Sequence, residues 1–221
     1  MTGKETEIIL RILEQTKDRE TITDLANLDR NFVLSLGSFK NTDGTYRLER
    51  GKRIDLAMMA VEQGADIAEV VKLMTWKDFE RLVAGILVEN DFLCTESFRR
   101  RGTSIVKGME IDVIGIRGRL GISVDAKMWS IRGSKVAALR TAAEKQKERT
   151  FKLATQLDRL LQKITIMKEG KYEFIPIIVT WLVEEVEMHE GVPIVPVFKF
   201  NSFILNFEQY QDLMVSYAGY L

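Results

Sequence analysis

The chain has a single cysteine, Cys94, a single histidine, His189, and no net charge, because 32 Lys/Arg balance 32 Asp/Glu. A lone cysteine excludes an internal disulfide and a cysteine-rich zinc site, and it points to a reducing compartment. The lone histidine lies in the acidic turn EMHEG, which excludes histidine-clustered metal sites and a Ser-His-Asp triad. No apolar run is long enough to span a bilayer. The stretch MTGKETEIILRILEQ reads as an amphipathic helix rather than a signal peptide, so a cytoplasmic protein is expected. Internal repeats and low-complexity segments are also missing. Zero net charge means that any nucleic-acid partner must be met by a local basic face.

Such a face is present. Residues 95–149 hold thirteen Lys/Arg against six Asp/Glu, and the rest of the chain is correspondingly acidic. With 46% apolar and 29% charged residues in 221, the composition fits a soluble globular protein of one large or two small domains.

Residues 4–17 carry Ile8, Ile9, Ile12 and Leu13 at helical spacing. Thr21 or Thr23 can cap a short helix bearing Leu25 and Leu28. A third helix, roughly Arg30 to Phe39, follows with Phe32, Val33 and Leu36. In NTDGTYRLERG, Asp43-Gly44 supplies the turn of a small hairpin. Three helices and a hairpin describe a winged helix over residues 1–53, a small α+β domain. Two readings of it stand: duplex binding with the third helix in the major groove, or packing, dimerisation and partner docking. Only Arg30, with Lys40 just beyond, offers a positive charge to phosphate. Residues 54–75 read as a helical linker broken at Gly64.

Thr75 and Asp78 form the capping-box spacing that opens a strong helix. Its buried stripe is Phe79, Leu82, Val83, Ile86 and Leu87, with Glu80 at the stripe's edge. The strand-like FLCTESF and the loop RRRGTSIVKG lead into EIDVIGIRGRLGISVDAKMW, two strands joined by a tight glycine-containing turn. Residues two apart on a strand share a face, so Asp125 and Lys127 project together, and the hairpin can bring Asp112 alongside. Two carboxylates and an ammonium in place of Val or Ile suit a divalent cation such as Mg²⁺ or Mn²⁺, which takes hard oxygen ligands. Such an ion activates water toward a phosphodiester, with Lys127 expected to stabilise developing charge. The bland reading, a solvated ion pair, would hold for an isolated D-x-K. A long helix over 134–165, the buried strand FIPIIVTWL, the β segment VPIVPVFKF and a short helix over Phe207–Tyr217 complete the chain.

Residues 75–149 resemble the core of the PD-(D/E)xK, or restriction-endonuclease-like, nuclease superfamily. Within it they are similar to the Mrr-type and archaeal Holliday-junction-resolvase-like branches. The resemblance rests on the helix TWKDFERLVAGILVENDF, the strand EIDVIG and the strand ISVDAK. It implies an α/β fold with an αβββαβ core around a central mixed sheet, over 76–221. It places the family's helix acid on Glu80, its metal-ligand Asp on Asp112 and its acid-lysine pair on Asp125 and Lys127. Glu80, Asp112 and Asp125 would then ligate the metal. Ile111 stands where the family name implies Pro, and the third-motif acid is Asp rather than Gln or Glu.

The implied activity is metal-dependent cleavage of DNA by a homodimer, with no membrane and no organic cofactor. Arg99, Arg100, Arg101, Lys107, Arg132 and Lys135 would contact the phosphate backbone. Trp129 is expected to pack, Gln146 to be solvated, and His189 to have no role. A DNA-binding or regulatory protein that keeps the fold without cutting is the alternative. A transcription factor led by the winged helix is the third reading.

Overall fold

The computed structural model of the protein describes residues 3–24, 30–49, 51–100, 108–128 and 136–221; it leaves the side chain of Arg100 undescribed. The chain divides into two units, Met1–Asp78 and Phe79–Leu221. No helix among the described residues is long and apolar enough to cross a membrane.

In the first unit, α1 (Gly3–Gln15) buries Ile8, Ile9, Ile12 and Leu13, the stripe its spacing predicts. It is followed by β1 (Thr21–Ile22), α2 (Arg30–Ser35), β2 (Phe39–Lys40) and β3 (Tyr46–Arg47). The three strands form an antiparallel sheet in the order β1-β3-β2. The Asp43-Gly44 turn forms as expected. Gly44 takes φ 86°, and the Asp43 carboxylate accepts from the Thr45 amide at 3.0 Å and hydroxyl at 2.7 Å. Helix α2 ends at Ser35, earlier than the expected Phe39. The Ser38 hydroxyl turns back to the Val33 carbonyl at 2.6 Å, and Phe39 enters a strand. The helix expected over Leu25 and Leu28 lies largely outside the described residues.

Helices α3 (Lys52–Glu62) and α4 (Ile67–Leu73) pack on α1. Both helices, over the stretch read as a linker, lie within the first unit. The reason is Arg53, 2% exposed and turned inward. Its guanidinium donates to the Leu13 carbonyl (2.7 Å), the Leu73 carbonyl (2.6 Å), the Thr16 hydroxyl and the Asp78 carboxylate (3.1 Å). One buried cation thus satisfies carbonyls at the ends of two helices. Asp78 also closes the expected capping box. It accepts from the Thr75 amide at 2.8 Å while its own amide donates to the Thr75 hydroxyl at 3.2 Å.

Helix α5 (Trp76–Glu89) leads into the second unit, where β4 (Leu93–Arg100), β5 (Met109–Arg117), β6 (Leu120–Lys127), α6 (Val136–Ala154), α7 (Asp158–Leu161) and β7 (Lys171–Thr180) follow. The expected helix-strand-strand-strand-helix-strand order is present. Strands β8 (Met188–His189) and β9 (Val192–Pro196), helix α8 (Val197–Leu205), a 3₁₀ turn over Phe207–Leu213 and β10 (Tyr217–Tyr220) complete the unit. Strands β4, β5 and β6 are antiparallel neighbours. β6 pairs parallel with β7, whose far edge takes β9 in parallel and β10 antiparallel. The result is a seven-stranded mixed sheet.

Helices α5 and α8 cover one face over Val113, Ile122, Val124, Ile175 and Ile177. Helices α6 and α7 cover the other, over Ile114, Ile116, Tyr172, Phe174 and Ile178. A strand flanked on both faces reads as an unbroken apolar run, which is why FIPIIVTWL was legible as β7. The β5–β6 turn has two residues, with Gly118 at φ 60° as the first. Gly121 faces Phe174 across the sheet so closely that a Cβ there would lie 2.3 Å from the ring.

Three expectations are corrected. The helix over 134–165 stops at Ala154, and a separate turn of helix re-aims Leu157 and Leu160 into the core. VPIVPVFKF is strand only to Pro196, after which α8 begins. The helix expected over Phe207–Tyr217 is a 3₁₀ turn followed by the edge strand β10.

Candidate active site

Asp125 is 3% exposed and lies on the α6 side of β6. Its Oδ2 meets the Lys127 ammonium at 2.8 Å, and its Oδ1 accepts from Arg149 Nη1 of α6 at 3.0 Å. A carboxylate this buried needs such partners, since an unpaired charge is expensive away from water. The shared strand face predicted from the two-residue spacing of Asp125 and Lys127 is therefore found.

Asp112 joins them from the neighbouring strand. The β5–β6 ladder ends at Val113↔Val124, one residue short of Asp112 and Asp125. The Asp112 Oδ2 accepts from the Ala126 amide at 2.8 Å, so a side chain satisfies a backbone donor just past the ladder's end. Burial, and then the charge of Asp125, push the Asp112 carboxyl up to about 6; the Ala126 amide, Lys127 and Arg149 pull the other way. Two carboxylates that repel each other across adjacent strands are the arrangement a divalent cation relieves, so this donor pair fits Mg²⁺ or Mn²⁺.

Asp112 also sits at an irregularity that sequence reading missed. Strand β4 pairs with β5 at Glu96↔Val113 and Phe98↔Ile111, skipping the position where Ser97 faces Asp112. Ser97 has φ 49°, a backbone state that a non-glycine residue adopts at a cost. On the opposed strand, Ile111 and Val113 lie in opposite cores although they are two residues apart. A regular strand would put them on one face. The Ser97 hydroxyl donates to the Glu80 carboxylate at 3.2 Å, and Glu80 is 3% exposed. Ser97, Asp112 and Asp125 thus lie on the successive strands β4, β5 and β6.

Glu80 and Arg149 reach this row from opposite faces, on α5 and α6. Among the described residues, Glu80, Asp112 and Asp125 do not bring their oxygens within 4.8 Å of one another as one set. The set that does meet this criterion is Glu144, His189 and Glu190, largely exposed. There Lys147 already pairs with Glu190 at 2.7 Å, and His189 lies 3.4 Å from Glu144. His189, given no role from the sequence, thus has an ordinary surface partner.

The expected basic surround is partly described. Arg99 pairs with Glu110 at 2.7 Å on the exposed surface. Arg101, Lys107, Trp129, Arg132 and Lys135 lie outside the described residues, as does the Arg100 side chain. Gln146 corrects its expectation, being fully buried rather than solvated. Its amide donates to the Ser123 carbonyl at 2.9 Å and hydroxyl at 2.8 Å. This ties α6 to β6 two residues before Asp125. Arg149 was the missed basic residue. The signal for it was its spacing, one turn beyond Lys145 and Gln146 on the same helix. Burial and the charge of Glu96 push the Cys94 thiol up to about 12, which disfavours the thiolate at neutral pH.

The fold is thus a mixed α/β protein in which Asp112, Asp125, Lys127 and Arg149 come together where β5 and β6 meet α6. No protein-family model matches the chain. It is similar to an uncharacterised protein of Archaeoglobus fulgidus, 28% identical over 137 residues, covering 62% of this chain and 95% of that protein. Two solved structures are also similar. One, a protein of unknown function called AF1548, has 16% identity over 59% of this chain and 65% of its own, with TM-score 0.33. The other, protein VC1899 from Vibrio cholerae, has 12% identity over 96% of this chain and 52% of its own, with TM-score 0.35. This chain therefore spans less than two thirds of each of those two structures.

Proposed function

We propose that the protein is a metal-dependent endodeoxyribonuclease that hydrolyses DNA phosphodiester bonds, a restriction, repair or junction-resolving enzyme of the PD-(D/E)xK superfamily. The observation that carries this reading is Asp112 bonded to the Ala126 amide next to Asp125, with Lys127 on the same strand face as Asp125 and 2.8 Å from it. The order α5-β4-β5-β6-α6-β7 supports the family core.

Asp112 and Asp125 would hold the Mg²⁺ or Mn²⁺, with Glu80 flanking them through Ser97. Such an ion supplies Lewis acidity at the phosphoryl oxygen and lowers the pKa of the attacking water. Lys127, fixed by Asp125, would stabilise the negative charge that grows on the phosphoryl oxygens as the new P–O bond forms and the P–O bond to the leaving sugar oxygen breaks. The helix, strand, helix and hairpin order of the first unit supports a winged-helix domain that docks DNA or a partner. A homodimer fits two-strand cutting.

One observation favours the alternative, a silent DNA-binding protein on the same fold: both oxygens of Asp125 are engaged by cations. A plasmid-nicking assay separates the two. With Mg²⁺ the wild type is expected to convert supercoiled plasmid to nicked or linear forms, while Asp125→Ala and Lys127→Ala lose at least about 100-fold in rate. Cutting that survives Asp125→Ala rejects the mechanism; no cutting of any DNA form by wild type favours the silent protein.

A further inference from the structure

An open cavity of about 430 Å³ lies between β6 and α6, within the size range of ligand pockets. Asp125, Lys127, Thr141, Lys145 and Arg149 line it together with the short alanines of α6. Three cations stand against one acid, so the cavity carries surplus positive charge. The acid is also already neutralised from within, since Asp125 lies between Lys127 and Arg149. Lys145 and Arg149 are one helical turn apart and share a face. The alanines between them and β6 leave room that longer side chains would fill. Arg149 touches Asp125 through a single nitrogen, and a guanidinium has five N–H donors in a planar fork suited to phosphate. The Arg149 side chain is 32% exposed where Asp125 is 4%, so the acid is fixed and the base faces the opening.

From this geometry, and resting on the nuclease reading above, we infer that Arg149 and Lys145 form a phosphodiester-gripping wall, and that Arg149 couples it to the metal site by sharing Asp125. The coupling has a definite sign. Arg149 places a positive charge on the carboxylate that must also attract the metal, so the same side chain strengthens DNA binding and opposes the metal. A substrate phosphate bound to Arg149 offsets that charge, so DNA and metal each favour the other's binding.

The test uses the full chain and two readouts that do not depend on cleavage. The first is the affinity and salt dependence for a fluorescein-labelled duplex with phosphorothioate linkages, in Ca²⁺. The second is Mn²⁺ affinity by calorimetry without DNA. Arg149→Gln is expected to weaken duplex binding about tenfold and lower the salt slope by about one. It is expected to tighten Mn²⁺ binding about tenfold, the size of one charge removed near the ligand when the dielectric is close to that of water. Arg149→Lys keeps the charge, so Mn²⁺ affinity should stay near wild type while duplex binding loses only part of what Arg149→Gln loses. A destabilised variant would weaken both together, so the opposite directions are diagnostic.

Unchanged duplex affinity with unchanged or weaker Mn²⁺ binding in Arg149→Gln overturns the inference. A wild type that binds duplex but no divalent cation overturns the nuclease reading and the coupling with it. In that case the salt slope of Arg149→Gln still decides the phosphate wall.

Discussion

Arg149 on α6 donates to the Oδ1 of Asp125 on β6 across 3.0 Å, while the other oxygen of the same carboxylate takes Lys127. Asp125 is compensated in this way by direct ion pairs, whereas its neighbour Asp112 feels the same two cations without pairing with either. Asp112 has one backbone donor, and the charge of Asp125 lies across the strand gap. The pair is asymmetric, and the first prediction follows from that asymmetry.

Folding raises the Asp112 carboxyl from its ordinary 3.8 to about 6, so the native state favours the protonated acid. Stability that is intact below about pH 4 is therefore lost as pH rises toward 6 and stays lost above it. Asp112→Asn keeps the acceptor for the Ala126 amide and removes the charge. In metal-free buffer the variant should match wild type near pH 4 and exceed it above pH 6.5, by on the order of 1–3 kcal/mol. Thermal melts across that range check this, and equal melting curves at pH 7.5 would contradict it. Added Mn²⁺ should raise the melting temperature of wild type but not of the variant.

Arg53 and Asp78 make a second, fully buried pair. Asp78→Ala strands the guanidinium and removes the cap on Thr75, and should cost about 3–5 kcal/mol in urea unfolding. Combining it with Arg53→Met removes the stranded charge, so the double variant should recover a large part of that loss. A double variant that loses the sum of the two single losses would show that the charges are not coupled.

Gly121 is set by packing. A Cβ there falls 2.3 Å from the Phe174 ring, which is fully buried and has nowhere to move. Gly121→Ala should lower stability by about 1–3 kcal/mol. Pairing it with Phe174→Leu should return part of the loss. A neutral Gly121→Ala would mean that the ring gives way.

Cys94 should be chemically quiet. With its thiol pushed up to about 12, it is expected to react with a disulfide reagent at pH 8 at least about tenfold more slowly than free cysteine, until denaturant is added. Rapid reaction of the native protein would contradict this burial.

The parts legible in sequence were those where a local rule applies to a local pattern. The two-residue spacing of Asp125 and Lys127 predicted one strand face, Asp43-Gly44 predicted the hairpin, and Thr75 with Asp78 predicted a helix start. All three are found. What was not legible depends on partners distant in the chain. Gln146 looks like a helix-surface residue until β6 brings Ser123 against it. The first unit's claim on α3 rests on Arg53 reaching Leu13, Leu73 and Asp78, which no periodicity in residues 54–75 reveals. Ser97 carries no signal at all. Its positive φ accompanies the interrupted β4–β5 pairing, and only the fold brings its hydroxyl to Glu80. The ends of the long helix and of the final strands were misread because apolar content continues through them while the backbone changes direction.

The central claim is that Asp112 and Asp125 together hold a divalent cation. Anomalous diffraction from crystals soaked in Mn²⁺ tests it most directly. The account predicts a peak bridging the two carboxylates at ligand distances of about 2.0–2.3 Å, and its loss in Asp112→Asn. A peak only at Glu144, His189 and Glu190, or none beside Asp125, would contradict it.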